Sequence, residues 1–158
     1  MKAFNRRVFI VTTVLLSSAW SVAASAQGHV SLSPDELQWT EIKCWSGWKI
    51  AILVGTPSKP GPYVIRLTAP ADARLGPHTH PDDRTLTVLS GSWYEGFGDR
   101  LDRANAKLLP SSGFTTIPGN AVHFDIVGPE GAVLQVSGNG PSGTTWVNPA
   151  DNPAANCQ

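Results

Sequence analysis

One stretch, Gly76-Pro-His-Thr-His-Pro-Asp-Asp-Arg-Thr-Leu-Thr-Val-Leu-Ser-Gly91, constrains the fold of this 158-residue chain more than any other. His78 and His80 are two residues apart, so on a β-strand both imidazoles project from one face. Leu86 and Val88 share that parity, as do Asp82 and Arg84 if the strand runs on without a bulge. A face with histidines at one end and aliphatics at the other predicts a barrel interior with a polar mouth. Imidazole is the side chain most used to hold first-row transition metals, and two on one strand make half a site.

The rest of the chain reads as short strands. Trp48–Val54, Tyr63–Thr68, Ser92–Gly98, Phe114–Ile117, Ala121–Ile126 and Ala132–Gly138 are rich in β-branched and aromatic residues between Gly/Pro turns, with Thr144–Val147 as one more. Gly91 reads as a turn before a returning strand, and Gly128-Pro-Glu-Gly131 as a hairpin loop. Helical character is confined to Asp99–Leu109, beside a turn or short helical start at Ser33–Glu36. This pattern predicts an all-β sandwich or barrel, of which the jelly roll is one architecture. There is no internal repeat.

Further ligands must come from elsewhere. Of the four histidines, His29 sits at the expected mature N-terminus, which leaves His123. It ends the segment Gly113-Phe-Thr-Thr-Ile-Pro118-Gly-Asn-Ala-Val-His123, read as strand, turn and strand. The two segments resemble the two motifs of the cupin family. The first motif has Gly, His-x-His, a Glu three or four residues on and a Gly after six more. The second has Gly, Pro-x-Gly-x-x-His and then Asn. His78, His80 and Gly91 fall at the first spacing, and Pro118 to His123 at the second. Three positions depart: Arg84 stands where the liganding Glu belongs, Asn120 replaces the inner Gly with Gly119 one place early, and Val127 replaces the Asn. Leu86–Gly91 and Gly140–Pro149 also look like segments of small exported single-domain cupins. The resemblance implies an all-β, cupin-type jelly-roll barrel in a single domain. It also implies a mononuclear divalent transition metal on His78, His80 and His123, with Fe, Mn, Ni, Zn and Cu not distinguished.

Arg84 changes the expected chemistry, because a guanidinium offers no lone pair and repels a cation. Three arrangements stay open. Asp82 or Asp83 takes the Glu's place as fourth ligand; or Arg84 turns inward as a clamp for an anionic substrate beside a histidine-only site; or the metal is lost and the barrel binds a small molecule. An exposed Arg84 paired with Asp82 or Asp83 is the plain structural alternative. Gln135 is a second candidate substrate-binding donor, with an exposed strand amide as its alternative. Two function classes follow: a metal-dependent enzyme (oxygenase, isomerase, lyase or decarboxylase) on a small organic molecule, a carboxylate being one candidate, and a non-catalytic binding module. No Ser-His-Asp signature or Gly-rich phosphate loop is present.

Residues 1–26 read as a signal peptide. Lys2, Arg6 and Arg7 precede the apolar Val8–Leu16, and Ala24-Ser-Ala26 offers a cleavage site. Asn5-Arg-Arg-Val-Phe-Ile10 resembles a twin-arginine export signal, and an ordinary leader stays open beside it. The expected organisation is an N-terminal extension over 27–47, the barrel over 48–147 and a tail over 148–158, in the periplasm or secreted from a bacterium. The full chain balances 12 basic against 12 acidic residues. Cleavage removes only basic ones, and a slightly acidic domain argues against nucleic acid and against an anionic membrane surface. The expected partner is a small molecule, with a homodimer left open. Cys44 and Cys157, near opposite ends of the mature chain, predict a disulfide in an oxidising compartment, with two free thiols as the alternative.

Overall fold

The computed structural model describes residues 28–155 and 157, so the leader expected over 1–26 lies outside the described residues. Nine strands follow in order: β1 (Thr40–Glu41), β2 (Lys49–Val54), β3 (Gly61–Ala69), β4 (Arg74–Thr79), β5 (Arg84–Phe97), β6 (Lys107–Pro110), β7 (Phe114–Ile117), β8 (His123–Gly140) and β9 (Thr145–Trp146). All pairings are antiparallel. Among the described residues no helix is long and apolar enough to cross a membrane.

The two long strands organise everything else. β5 and β8 pair from Arg84 opposite Gly138 to Phe97 opposite His123, with register shifts between Val88 and Ser90 and between Gly91 and Trp93. At the shift, Gly91 (φ 77°) and Gly131 (φ 76°) both adopt left-handed backbone. A Cβ on Gly91 would collide with the Gly131 carbonyl oxygen. The paired bulge bends both strands together and divides the barrel into two layers. β1, β2, β3, the second half of β8, the first half of β5 and β7 form one. β9, β4, the first half of β8, the second half of β5 and β6 form the other. This is a jelly roll. Its core packs Tyr63, Ile65, Leu86, Val88, Leu134 and Val136 of the first layer against Leu75, Trp93, Leu109 and Val127 of the second.

Four expectations need correction. The segment Gly76–Gly91 is not one strand: β4 ends at Thr79 and β5 begins at Arg84. The histidines and the Leu86/Val88 pair therefore lie in opposite layers. Gly91 does not turn the chain back, and Gly128–Gly131 is not a hairpin loop. Each glycine lies within a strand that runs on, because the opposing long strand keeps offering ladder partners past the bend. The helical stretch shrinks to one 3₁₀ turn, Arg103–Asn105, with the Asp102 carboxylate accepting the Ala104 N–H at 2.9 Å. The residues after it join β5 as β6 and bury Leu109, so tertiary pairing overrides local propensity.

The chain ends are tied to the barrel. β1 extends the first layer, and Ile42 and Trp45 pack on the core ahead of β2. Cys44 and Cys157 are joined in a disulfide with Cα atoms 5.6 Å apart.

Candidate metal centre

His78 and His123 are direct cross-strand partners on β4 and β8. His80 follows just past the end of β4. The turn before β8 is fastened to this end of the site, since the Asn120 N–H donates to the His80 carbonyl at 2.7 Å. Asn120 has φ 62°, a left-handed conformation that asparagine enters more readily than most residues. That accounts for its standing where the cupin motif has glycine. The three imidazoles are then neighbours, with ring centroids 4.2 Å (His78–His123), 4.8 Å (His78–His80) and 5.1 Å (His80–His123) apart. One nitrogen from each lies within 4.8 Å of the others, so the three could hold one metal ion. His29 is exposed and is not part of this cluster.

Each ring is pinned from behind. Nδ1 of His78, His80 and His123 donates to the carbonyls of Gly76 (2.8 Å), Gly143 (2.7 Å) and Ala121 (3.0 Å) respectively. A carbonyl can only accept, so the proton is assigned to Nδ1 and the Nε2 lone pair is left for an ion. Burial is the first cause of low basicity in all three. It holds His78 down to about 4, helped by His123, and His80 down to about 3, helped by the Arg84 charge. His123 is lowered in the same direction by burial, with Arg84 adding to it. Neutral imidazole is the form that ligates, and the fold keeps it so. The donor set therefore fits a first-row divalent ion.

The flanking charged residues do not stand where a fourth ligand was sought. Asp82 is buried and fully engaged: the Tyr63 hydroxyl donates to Oδ2 at 2.7 Å and Arg84 Nη2 to Oδ1 at 2.8 Å. Burial would raise its carboxyl, but the hydrogen bonds from Tyr63, Ser142 and Arg84 win and hold it below the usual range. Asp83 accepts the Gly119 N–H at 2.7 Å. Neither carboxylate joins the three histidines. Arg84 combines both readings of its side chain. It shares the inward parity of Leu86 and Val88 and lines the histidine cavity, yet its Nη2 binds Asp82 and Ser142. Its Nε is buried without a hydrogen-bond partner. Gln135 does not line the cavity. It lies between the inward Leu134 and Val136 and accepts from Arg66 Nε at 3.3 Å, which is the strand-amide alternative.

Two groups of residues escaped the sequence reading. Asp125 follows His123 by two residues on β8 and so shares its inward face. It is 3% exposed, Trp93 Nε1 donates to its Oδ1 at 3.0 Å, and its Oδ2 lies 3.8 Å from His78 Nε2. Burial, and then the neighbouring Glu95, push its carboxyl well above the usual range. With His78 neutral, the contact is not an ion pair in the metal-free chain. Glu95, opposite Asp125 on β5, is also buried and raised by burial. The period-2 pattern held the clue to Asp125, an acid at an inward position of an apolar strand. The second group is a tryptophan wall. Trp45, Trp48 and Trp93 stack edge to face at 5.4 and 6.3 Å, and Trp146 lies 5.0 Å from the His78 ring. Their long-range assembly had no local signal.

The cavity bounded by the three histidines, Asp125, Trp45, Trp48 and Trp93 measures about 180 Å³. A more open groove of about 450 Å³ touches Arg84 but no histidine, so the chemistry belongs to the smaller space.

No protein-family model matches the chain, and no curated protein matches its sequence. Solved structures do match its fold. The polyketide cyclase RemF from Streptomyces resistomycificus superposes with a TM-score of 0.64 at 14% identity, covering 80% of this chain and 90% of its own. KdgF from Halomonas sp. gives 0.57 at 16% identity, covering 72% and 96%. A RmlC-like cupin from Shewanella frigidimarina gives 0.57 at 16%, covering 72% and 91%. Identities this low show a shared fold and leave each neighbour's activity with that neighbour.

Proposed function

We propose that this chain, which has the cupin fold, holds one divalent transition metal ion on His78, His80 and His123 and presents it to a small carboxylate-bearing molecule. The observation that carries the reading is the convergence of three buried, neutral imidazoles, each with Nδ1 committed to a backbone carbonyl. A bound divalent ion supplies Lewis acidity at open coordination positions. The chain's own residues do the rest. Arg84 is the cationic side chain at the cavity and supplies the positive charge that favours an anionic group there. Trp45, Trp48 and Trp93 exclude water from the other side. A space of about 180 Å³ holds a molecule smaller than the drug-sized ligands that fill roughly 300–1,000 Å³ pockets. The work is done outside the cytoplasm; the leader-like residues 1–26 and the Cys44–Cys157 disulfide support that placement.

The test is calorimetric. Zn²⁺-loaded protein is titrated with short-chain carboxylates and with their neutral amides. The carboxylates bind and the amides do not, and Arg84→Gln weakens the carboxylates about tenfold while metal stays bound. Product analysis of the same mixtures under air separates turnover from capture. Equal binding of acid and amide would contradict the carboxylate assignment.

A further inference from the structure

We infer that Asp125 is the fourth protein ligand of this metal ion and supplies the carboxylate that Arg84 replaces in the first motif. The inference rests on the three-histidine reading above and adds a ligand to it. Its first support is placement. β8 carries His123 and Asp125 on one inward face, and β4 brings Leu75 opposite Asp125 and His78 opposite His123. The carboxylate thus sits one step along the same face from two of the imidazoles.

Its second support is distance. Oδ2 lies 3.8 Å from His78 Nε2, beyond hydrogen-bond reach. With metal–ligand bonds of about 2.1 Å, an octahedral ion holds neighbouring donor atoms about 3.0 Å apart and opposite ones about 4.2 Å apart. The observed separation lies between those two values, so Oδ2 must close by about 0.8 Å on His78 to become a neighbouring donor, and in the metal-free chain it stands outside the three-imidazole group. Its third support is orientation. The Trp93 indole N–H fixes Oδ1 at 3.0 Å and leaves Oδ2 as the free oxygen, as outer-shell donors do for metal-bound carboxylates.

Charge completes the case. A carboxylate 3% exposed needs a compensating positive group or a costly neutral form. Arg84 is committed to Asp82 at 2.8 Å, and Glu95 opposite Asp125 is itself an acid. A divalent ion on the histidines is the counter-charge that this position lacks.

The experiment titrates metal-free wild type, Asp125→Asn and Glu95→Gln with Co²⁺. Affinity and the visible absorption of the bound ion are read together, after thermal melts establish that each chain is folded. Asparagine keeps an acceptor for Trp93, so the variant tests ligation with the packing preserved. The expected result is a loss of about tenfold or more in affinity for Asp125→Asn with an altered Co²⁺ spectrum. Glu95→Gln should stay within about threefold of wild type with the wild-type spectrum, since Glu95 contributes only its field. Wild-type affinity and spectrum in Asp125→Asn would overturn the inference and leave the three-histidine site standing. Equal losses in both variants with unchanged spectra would reduce Asp125 to a distant charge and also overturn it. No Co²⁺ binding by wild type would remove the three-histidine reading itself.

Discussion

The same two strands face the barrel interior in two chemical characters. Before the bend in β5 and after it in β8, the inward residues beyond Arg84 at the strand's start are Leu86, Val88, Leu134 and Val136. On the other side of Gly91 and Gly131 they include Glu95, His123 and Asp125. One half of the barrel thus provides cohesion, and the other provides donor atoms at some expense in stability. Burying three imidazoles and two carboxylates without counter-charges is unfavourable, as their displaced basicities record. The apolar layer, the tryptophan wall and the disulfide offset that cost. A functional site here is a local breach of the packing rule, confined by a two-glycine bend.

Exchanging the two halves' roles by mutation gives opposite phenotypes. The largest effect expected is on metal binding by His123→Ala, a loss of more than about 100-fold, since changes behind a ligand already cost roughly 10–100-fold. Metal analysis after dialysis checks it, and the folded fraction should remain high. Leu134→Ala, fully buried in the apolar layer, should do the reverse. Stability falls by about 3–5 kcal/mol in chemical denaturation while one ion per folded chain is retained. Gly91→Ala tests the bend between them. Left-handed backbone and the collision with Gly131 make a destabilisation of about 2 kcal/mol or more the expected result. Metal affinity should fall with it only if the bend sets the position of Asp125 and His123.

Much of the site was legible because it rests on local periodicity and motif spacing. His78, His80 and His123 could be nominated from two short segments, and the structure brings them together. The long strands were not legible in the same way. Gly91 and Gly131 look like turns locally, and only the continuous partner strand turns them into bulges. Asp82 and Asp83 were plausible ligands by proximity in sequence, but the turn between β4 and β5 points them to Tyr63, Arg84 and Gly119. Asp125 was missed because parity was followed from the first histidine pair and not from His123. The tryptophan wall draws on residues as far apart as Trp45 and Trp146, a juxtaposition that no short window contains.

The central claim is that three neutral, oriented imidazoles wait for an ion, and side-chain ¹⁵N resonance spectroscopy tests it most directly. An unshifted imidazole is half protonated near pH 6.5. Because burial lowers His78 to about 4 and His80 to about 3, the neutral form persists as pH falls below that value. In metal-free protein at about pH 5.5, His78 and His80 should show neutral rings protonated on Nδ1, and His123 should protonate below the ordinary imidazole value. One equivalent of Zn²⁺ should then shift all three Nε2 resonances together. Rings that protonate near pH 6.5, or Zn²⁺ that leaves any of the three Nε2 signals unmoved, would contradict the account.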